Sequence, residues 1–295
     1  MASRKVNTFF PNSPIFFITE AKMVDAQDRV SRLTGRAAIV TGASREIGAA
    51  MAEALARQGA AVLVAHYREP ELADATVARI RSAGGTALPH DCDCSLVIET
   101  QAMVARAVRE FGRLDIFVAN AGLTMWAPFL EYTEAAWDTV MNLNLKGSFF
   151  GAQAAARQMI QQGSPGSIVF SSSVAGMQAI QYLSAYGVSK AGLCQMARCL
   201  ALELGPHRIS VNALGIGPTL NARNLNDDPD YDAHWGSVSP AGRAARPQDV
   251  ARALLYLVEN PYVTGATLVV DGGWTIHSPI PGLDFVEPKE VKRET

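Results

Sequence analysis

The chain alternates short apolar runs with longer segments that repeat apolar residues at helical spacing. Residues 37–40, 61–65, 86–89, 116–119, 167–171, 209–214 and 267–270 are brief, largely apolar and often β-branched, which predicts buried strands. Residues 47–58, 71–83, 96–111, 134–142, 147–162, 186–204 and 247–258 carry apolar positions every three or four residues, which predicts amphipathic helices. Gly59 and the pair Gly84-Gly85 stop the first two, as glycine does at helix C-termini. Strands that alternate with helices build βαβ units, and strands buried on both faces read as continuous apolar runs. The expected fold class is therefore α/β: a single doubly wound parallel sheet of about seven strands with helices on both faces.

Three stretches break the rhythm. Residues 1–32 are irregular, with an apolar run from Phe9 to Phe17 that two prolines interrupt. No clear cleavage site follows it, so an N-terminal extension is expected there rather than a signal peptide. Residues 219–246 are rich in Asn, Asp, Pro and Ser and long for a loop, which predicts a lid or binding element. Residues 275–295 are proline-interrupted and end in charges, so an extended C-terminal tail is expected.

Composition narrows the class. A chain of 295 residues suffices for one large α/β domain. With 48% hydrophobic and 18% charged residues it can bury a core, which excludes general disorder. A net charge of −2 argues against non-specific nucleic-acid binding. No apolar run approaches the ~20 residues of a membrane span. Cys92, Cys94, Cys194 and Cys199 form no C-x-x-C pair, and Cys92-Asp93-Cys94 has no His/Cys partners at zinc spacing. The expectation is no metal, reduced thiols and a cytoplasmic protein.

Two halves carry chemistry. Thr41-Gly42-Ala43-Ser44-Arg45-Glu46-Ile47-Gly48 turns from the first strand into the first helix. Backbone N–H groups along Gly42, Ser44, Arg45, Ile47 and Gly48 can face a pyrophosphate at the helix N-terminus. Asn120-Ala121-Gly122 follows the fourth strand, at the carboxyl edge where dinucleotides lie. The second strand ends His66-Tyr67-Arg68 with no acid before Glu69, so Arg45 and Arg68 are expected to meet a 2′-phosphate, with Tyr67 alongside. That favours NADP(H), with NAD(H) also possible. In the second half, Tyr186 and Lys190 stand four apart, one turn on a helix face, and Ser173 lies thirteen residues before Tyr186. A free phenol keeps its proton at neutral pH, and a nearby ammonium stabilises the phenolate. Tyr186 is thus the candidate general acid/base, Lys190 its charge partner and a ribose ligand, and Ser173 the group that holds the substrate oxygen.

With these motifs in this order, residues 33–274 resemble the short-chain dehydrogenase/reductase family, in its glucose 1-dehydrogenase and 3-oxoacyl reductase-like branch. Of the family turn T-G-x-x-x-G-x-G, Thr41, Gly42 and Gly48 match and Glu46 replaces the middle glycine. The resemblance implies a Rossmann-type dinucleotide-binding catalytic domain over 33–274. It implies Asp93 on the adenine amino group with Cys94 beside the ring, and Asn120, Ala121 and Gly122 along the adenosine ribose. It implies Asn144 as holder of a water relay to Lys190, beside Ser173 and Tyr186. Gly215-Ile216-Gly217-Pro218 stands where the family shows P-G, so Gly217 and Asn221 take the nicotinamide-end contacts by position. The closing Tyr262-Val263-Thr264-Gly265 and Val270-Asp271-Gly272-Gly273 imply a homotetramer.

Three functions stay open on the sequence. An NADP-preferring oxidoreductase of a sugar or polyol hydroxyl leads, because His66-Tyr67-Arg68 is similar to the N-Y-R of glucose 1-dehydrogenases and the 219–246 segment is polar. A 3-oxoacyl thioester reductase is the alternative enzyme, and Trp126, Met177 and Tyr182 are expected to line an apolar pocket. A non-catalytic NADP(H)-sensing regulator is the third.

Overall fold

Strands β1 (Ala37–Val40), β2 (Ala61–His66), β3 (Thr86–Asp91), β4 (Ile116–Ala119), β5 (Gly166–Ser173), β6 (Ile209–Ile216) and β7 (Thr267–Val270) form one sheet. The computed structural model describes residues 32–276. All strand pairs are parallel, in the order β3-β2-β1-β4-β5-β6-β7. The order reverses between β1 and β4, and such a switch point opens a crevice at the carboxyl ends of the strands.

Nine helices accompany the sheet among the described residues: α1 (Glu46–Arg57), α2 (Pro70–Ser82), α3 (Val97–Phe111), α4 (Glu134–Met141), α5 (Ser148–Gln161), α6 (Ser184–Leu204), α7 (Ala222–Asp227), α8 (Tyr231–Val238) and α9 (Pro247–Glu259). Alternation along each strand divides two cores. Ala38, Val40, Val62, Val64, Ile116 and Val118 pack with α1, α2 and α9. Ile39, Leu63, Ala65, Phe117 and Ala119 face the other way, onto α3, α5 and α6. Because both faces are covered, the strands show no polar side, which is why their sequences read as apolar runs. No helix among the described residues is long and apolar enough to cross a membrane.

The expected seven-stranded parallel sheet is the observed one, and its departures lie at element ends. β3, β5 and β6 run two residues past their expected ends, because ladder pairing continues there: His66 with Asp91, and Ser173 with Ile216. Helix α6 starts at Ser184, two residues before Tyr186. Between α4 and α5 the chain passes through a π-type turn, Asn142–Gly147. The 219–246 stretch, expected as a loop, holds α7 and α8. Asn221 caps α7 by accepting the Asn224 N–H at 2.7 Å. Trp235 of α8 packs edge-on against Trp274, ring centroids 5.0 Å apart. The expected N-terminal extension lies outside the described residues but for its last residue, as does the C-terminal tail beyond Ile276.

Candidate active site

Thr41 is the buried pin of the switch point. Its hydroxyl donates to the Val118 carbonyl at 3.3 Å and accepts the N–H groups of Asn120 and Ala121 at 2.8 and 2.9 Å. The Asn120 amide returns to the carbonyls of Thr41 and Gly42 at 2.9 and 3.1 Å, and its oxygen accepts the Ser171 hydroxyl at 3.1 Å. The turns after β1 and β4 are thereby tied to β5. A Cβ at Gly48 would overlap the Gly42 carbonyl oxygen, so only glycine lets α1 start this close to the turn.

A groove of about 680 Å³ opens along these turns, a size that suits a small-molecule ligand. Gly42, Ser44, Arg45, Ile47, Gly48, Tyr67, Asp93, Cys94, Asn120, Ala121 and Gly122 all line it. At its β2 end the Arg45 guanidinium pairs with Glu69 at 2.9 Å, and Ser44 donates its hydroxyl to the other Glu69 oxygen. Further along, Asp93 Oδ1 accepts the N–H and hydroxyl of Ser95 at 2.9 and 2.7 Å. The Cys94 thiol lies 3.9 Å from Cys92. That hydrogen bond, then burial, pushes Cys94 well above the ordinary thiol range, so it remains an uncharged wall of the groove. No group of three or more His, Cys, Asp or Glu that could hold a metal ion occurs among the described residues.

At the other end sit the sheet edge and α6. Ser173 closes β5, is 8% exposed, and accepts the Ala175 N–H at 3.1 Å on its hydroxyl oxygen. Tyr186 is the third residue of α6. One turn on, Lys190 is 5% exposed, donates to the Ser171 carbonyl at 2.7 Å, and holds its ammonium 5.5 Å from the Tyr186 ring centroid. A Cβ at Gly122 would sit 3.1 Å from Asn144 Oδ1 and 3.3 Å from Lys190 Nζ, so the groove's glycine lies beside both side chains. Asn144, fully buried in the π-type turn, accepts the Leu123 N–H at 2.9 Å and donates to the Leu123 carbonyl at 3.0 Å and to Ser189 Oγ at 3.1 Å. Ser189 in turn donates to the Tyr186 carbonyl at 2.7 Å. A π-type turn shifts side-chain phase within a continuous helix and is frequent at functional sites. Here it carries Asn144 to the loop after β4 and to α6.

Residues 42–275 match the family model described as enoyl-(acyl carrier protein) reductase. The chain is 36% identical over 246 residues to a 2-dehydro-3-deoxy-D-gluconate 5-dehydrogenase of Dickeya dadantii, covering 82% of this chain and 96% of that one. It is 35% identical over 249 residues to an L-rhamnose 1-dehydrogenase (NAD(P)(+)) of Sphingomonas sp., covering 83% and 98%. A crystal structure of a short-chain type dehydrogenase/reductase from Mycobacterium marinum superposes with a TM-score of 0.78 at 35% identity, over 83% of this chain and 98% of that chain. The chain belongs to the short-chain dehydrogenase/reductase family. It is an oxidoreductase that acts on CH–OH groups with a nicotinamide dinucleotide, and the non-catalytic regulator reading falls with that.

This short-chain dehydrogenase/reductase places some of the expected site residues away from the groove. Arg68 is not among the groove-lining residues; it sits at φ +55° with its guanidinium 4.9 Å over the Tyr67 ring. Asn221 uses its side chain to cap α7, and Gly217 N–H is bonded to the Val270 carbonyl at 2.9 Å; like Ser173, Tyr186 and Lys190, both lie outside the lining of the groove. At the start of α6 an apolar pocket of about 460 Å³ is lined by Phe129, Met177, Ile180, Tyr182 and Val188, among others. Trp126 is not part of that lining. Glu69 and Ser189 join the site although the sequence motifs do not include them. Their signals were an acid one residue past Arg68 and a serine at i+3 from Tyr186.

Proposed function

We propose that the protein is an NADP-preferring dehydrogenase of a sugar or polyol hydroxyl, with Tyr186 as general acid/base. One observation carries the reading: the Lys190 ammonium lies close both to Gly122 of the groove and to the Tyr186 ring. The residues fit a dinucleotide, because the glycine turn leaves room where a Cβ would collide and the groove runs from Glu69 to Gly122. Gly42, Ser44, Arg45, Ile47 and Gly48 would hold its phosphates, Tyr67, Asp93 and Cys94 its adenosine end, and Asn120, Ala121 and Gly122 a ribose. When bound, the dinucleotide supplies the hydride acceptor or donor.

The chain's own groups handle the proton. Ser173 Oγ holds the substrate oxygen, and Tyr186 takes the hydroxyl proton on oxidation or returns it on reduction. The Lys190 charge stabilises the phenolate between these events, and Lys190 orients the ribose with the N–H groups left beyond Ser171. Asn144 and Ser189 fix the loop after β4 against the start of α6.

Hydroxyl-rich substrate is supported by the polar 219–246 segment, which carries Asn224, Asn226, Asp227, Asp228 and His234 and serves as the lid, and by sugar-acid and sugar dehydrogenases among the relatives. NADP preference rests on Arg45 in the groove. The apolar pocket favours a second reading, reduction of a 3-oxoacyl thioester, whose chain would lie along Met177 and Ile180. Four free thiols fit a cytoplasmic setting, and the assembly proposed is a homotetramer.

Replacing Tyr186 by Phe tests the chemistry. Turnover should fall by about 10²–10⁴, the usual weight of a general acid/base, while NADPH affinity stays within a few-fold. A Tyr186→Phe enzyme that keeps wild-type turnover would falsify the role given to the phenol.

A further inference from the structure

Glu46 occupies the place where the family turn carries glycine, and its backbone shows why glycine is usual there. Its φ is +55°, the left-handed region that a residue with a Cβ enters only at a cost. Its side chain has a partner far along the chain: Oε1 accepts the N–H of Ala222 at 2.8 Å. Ala222 is the first residue of α7, and the first N–H groups of a helix have no partner within it. The segment that α7 begins leaves the sheet at β6, where Ile216 lies beside Ser173 in register. The carboxylate therefore joins two parts of the site: the turn after β1, and the polar segment rooted beside the substrate-binding serine. Glu46 also lines the groove itself, among Ser44, Arg45, Ile47 and Gly48.

We infer that Glu46 is a positioning residue, a latch that fastens the 219–246 segment to the phosphate-binding turn and whose charge opposes the anion arriving at that turn. The hydrogen bond orders the segment when the groove is free. A pyrophosphate bound along the same turn meets a fixed negative charge, so latching and dinucleotide binding work against each other. By linkage each weakens the other to the same extent. The charge half rests on the dinucleotide reading of the groove; the latch half does not.

The two halves separate in Glu46→Gln and Glu46→Gly. The glutamine keeps an oxygen that can accept the Ala222 N–H but loses the charge. The glycine loses both, and because it suits φ +55° it should not lower the thermal midpoint. Full-length protein is treated with trypsin and cleavage after Arg223, exposed within α7, is followed by mass spectrometry without cofactor. Glu46→Gly should be cut about tenfold faster than wild type, the effect of one lost charge-assisted hydrogen bond on a local opening equilibrium. Glu46→Gln, which keeps a neutral hydrogen bond of roughly half that strength, should be cut only about threefold faster. NADPH binding, read by its fluorescence, should tighten about fivefold in both variants, the size of one unit-charge repulsion across a few ångströms of water. Wild-type cleavage in Glu46→Gly, or equal acceleration in both variants, overturns the latch. Unchanged NADPH affinity in both overturns the opposing charge. If neither NADPH nor NADH binds any of the three proteins, the dinucleotide reading of the groove has failed, and the cleavage rates still decide the latch.

Discussion

Arg45 and Glu69 meet at 2.9 Å at the β2 end of the groove, with the Ser44 hydroxyl on the same carboxylate. A 2′-phosphate has to take the guanidinium from that carboxylate, whereas a ribose 2′-hydroxyl can donate to it. On the NADP reading Arg45 gains more from the phosphate than Glu69 costs. Glu69→Gln should then shift the NADPH/NADH affinity ratio toward NADPH by about tenfold, and Arg45→Ala should shift it the other way by a similar factor, the scale of one charge-assisted hydrogen bond. Fluorescence titration with both cofactors measures the ratio; equal changes for the two would contradict the assignment. The sequence placed Arg68 beside Arg45 because they flank the expected phosphate. It could not show that Arg68 adopts φ +55° and stacks on Tyr67. Nor did adjacency reveal Glu69, since only the folded turn brings its carboxylate back to Ser44 and Arg45.

Among elements, α7 and α8 are where sequence reading ran out. They span six and eight residues and are largely polar, too short for a 3.6-residue period to stand out. The π-type turn was hidden for a related reason: it fills the gap between the expected helices 134–142 and 147–162, is only six residues long, and shows itself only through its hydrogen bonds. The strands, buried on both faces, were plain. Within the α7–α8 segment His234 Nδ1 lies 2.9 Å from Asp228 Oδ2, and that hydrogen bond, reinforced by the Asp228 and Asp230 charges, raises the His234 pKa above its ordinary 6.5. A histidine with a raised folded pKa contributes stability that is fully present below about 6.5 and is lost as pH rises through the raised value. Hydrogen exchange at residues 228–238 should therefore show protection falling as pH climbs from about 6 to 8, after correction for intrinsic exchange. Asp228→Asn should flatten that profile. A wild-type profile already flat would contradict the pairing.

At the scale of the whole molecule, one sheet with two helical layers places the groove at the switch point and the cluster of Ser173, Tyr186 and Lys190 on the same carboxyl end, joined through Thr41, Asn120 and Gly122. That arrangement was legible from the alternation of apolar runs and helices. The proposed tetramer rests on resemblance and on exposed apolar residues. The chain leaves Phe149, Ile160, Val188 and Leu202 exposed on α5 and α6, and Tyr262 wholly so, apolar surface suited to subunit contacts. Light scattering should give a mass about four times the 31.5 kDa of the chain, and Leu202→Glu should lower it; a wild-type monomer at micromolar concentration would contradict the tetramer. The central claim concerns what this assembled site oxidises. It is tested most directly by initial rates with NADP⁺ and NAD⁺ separately over a panel of aldoses, polyols and simple secondary alcohols, with β-keto thioesters and NADPH in reverse. The account predicts oxidation of a sugar or polyol that is faster with NADP⁺. Turnover confined to β-keto thioesters would contradict it, assigning the site to the apolar pocket beside Met177 and leaving the polarity of the 219–246 segment as a matter of exposure.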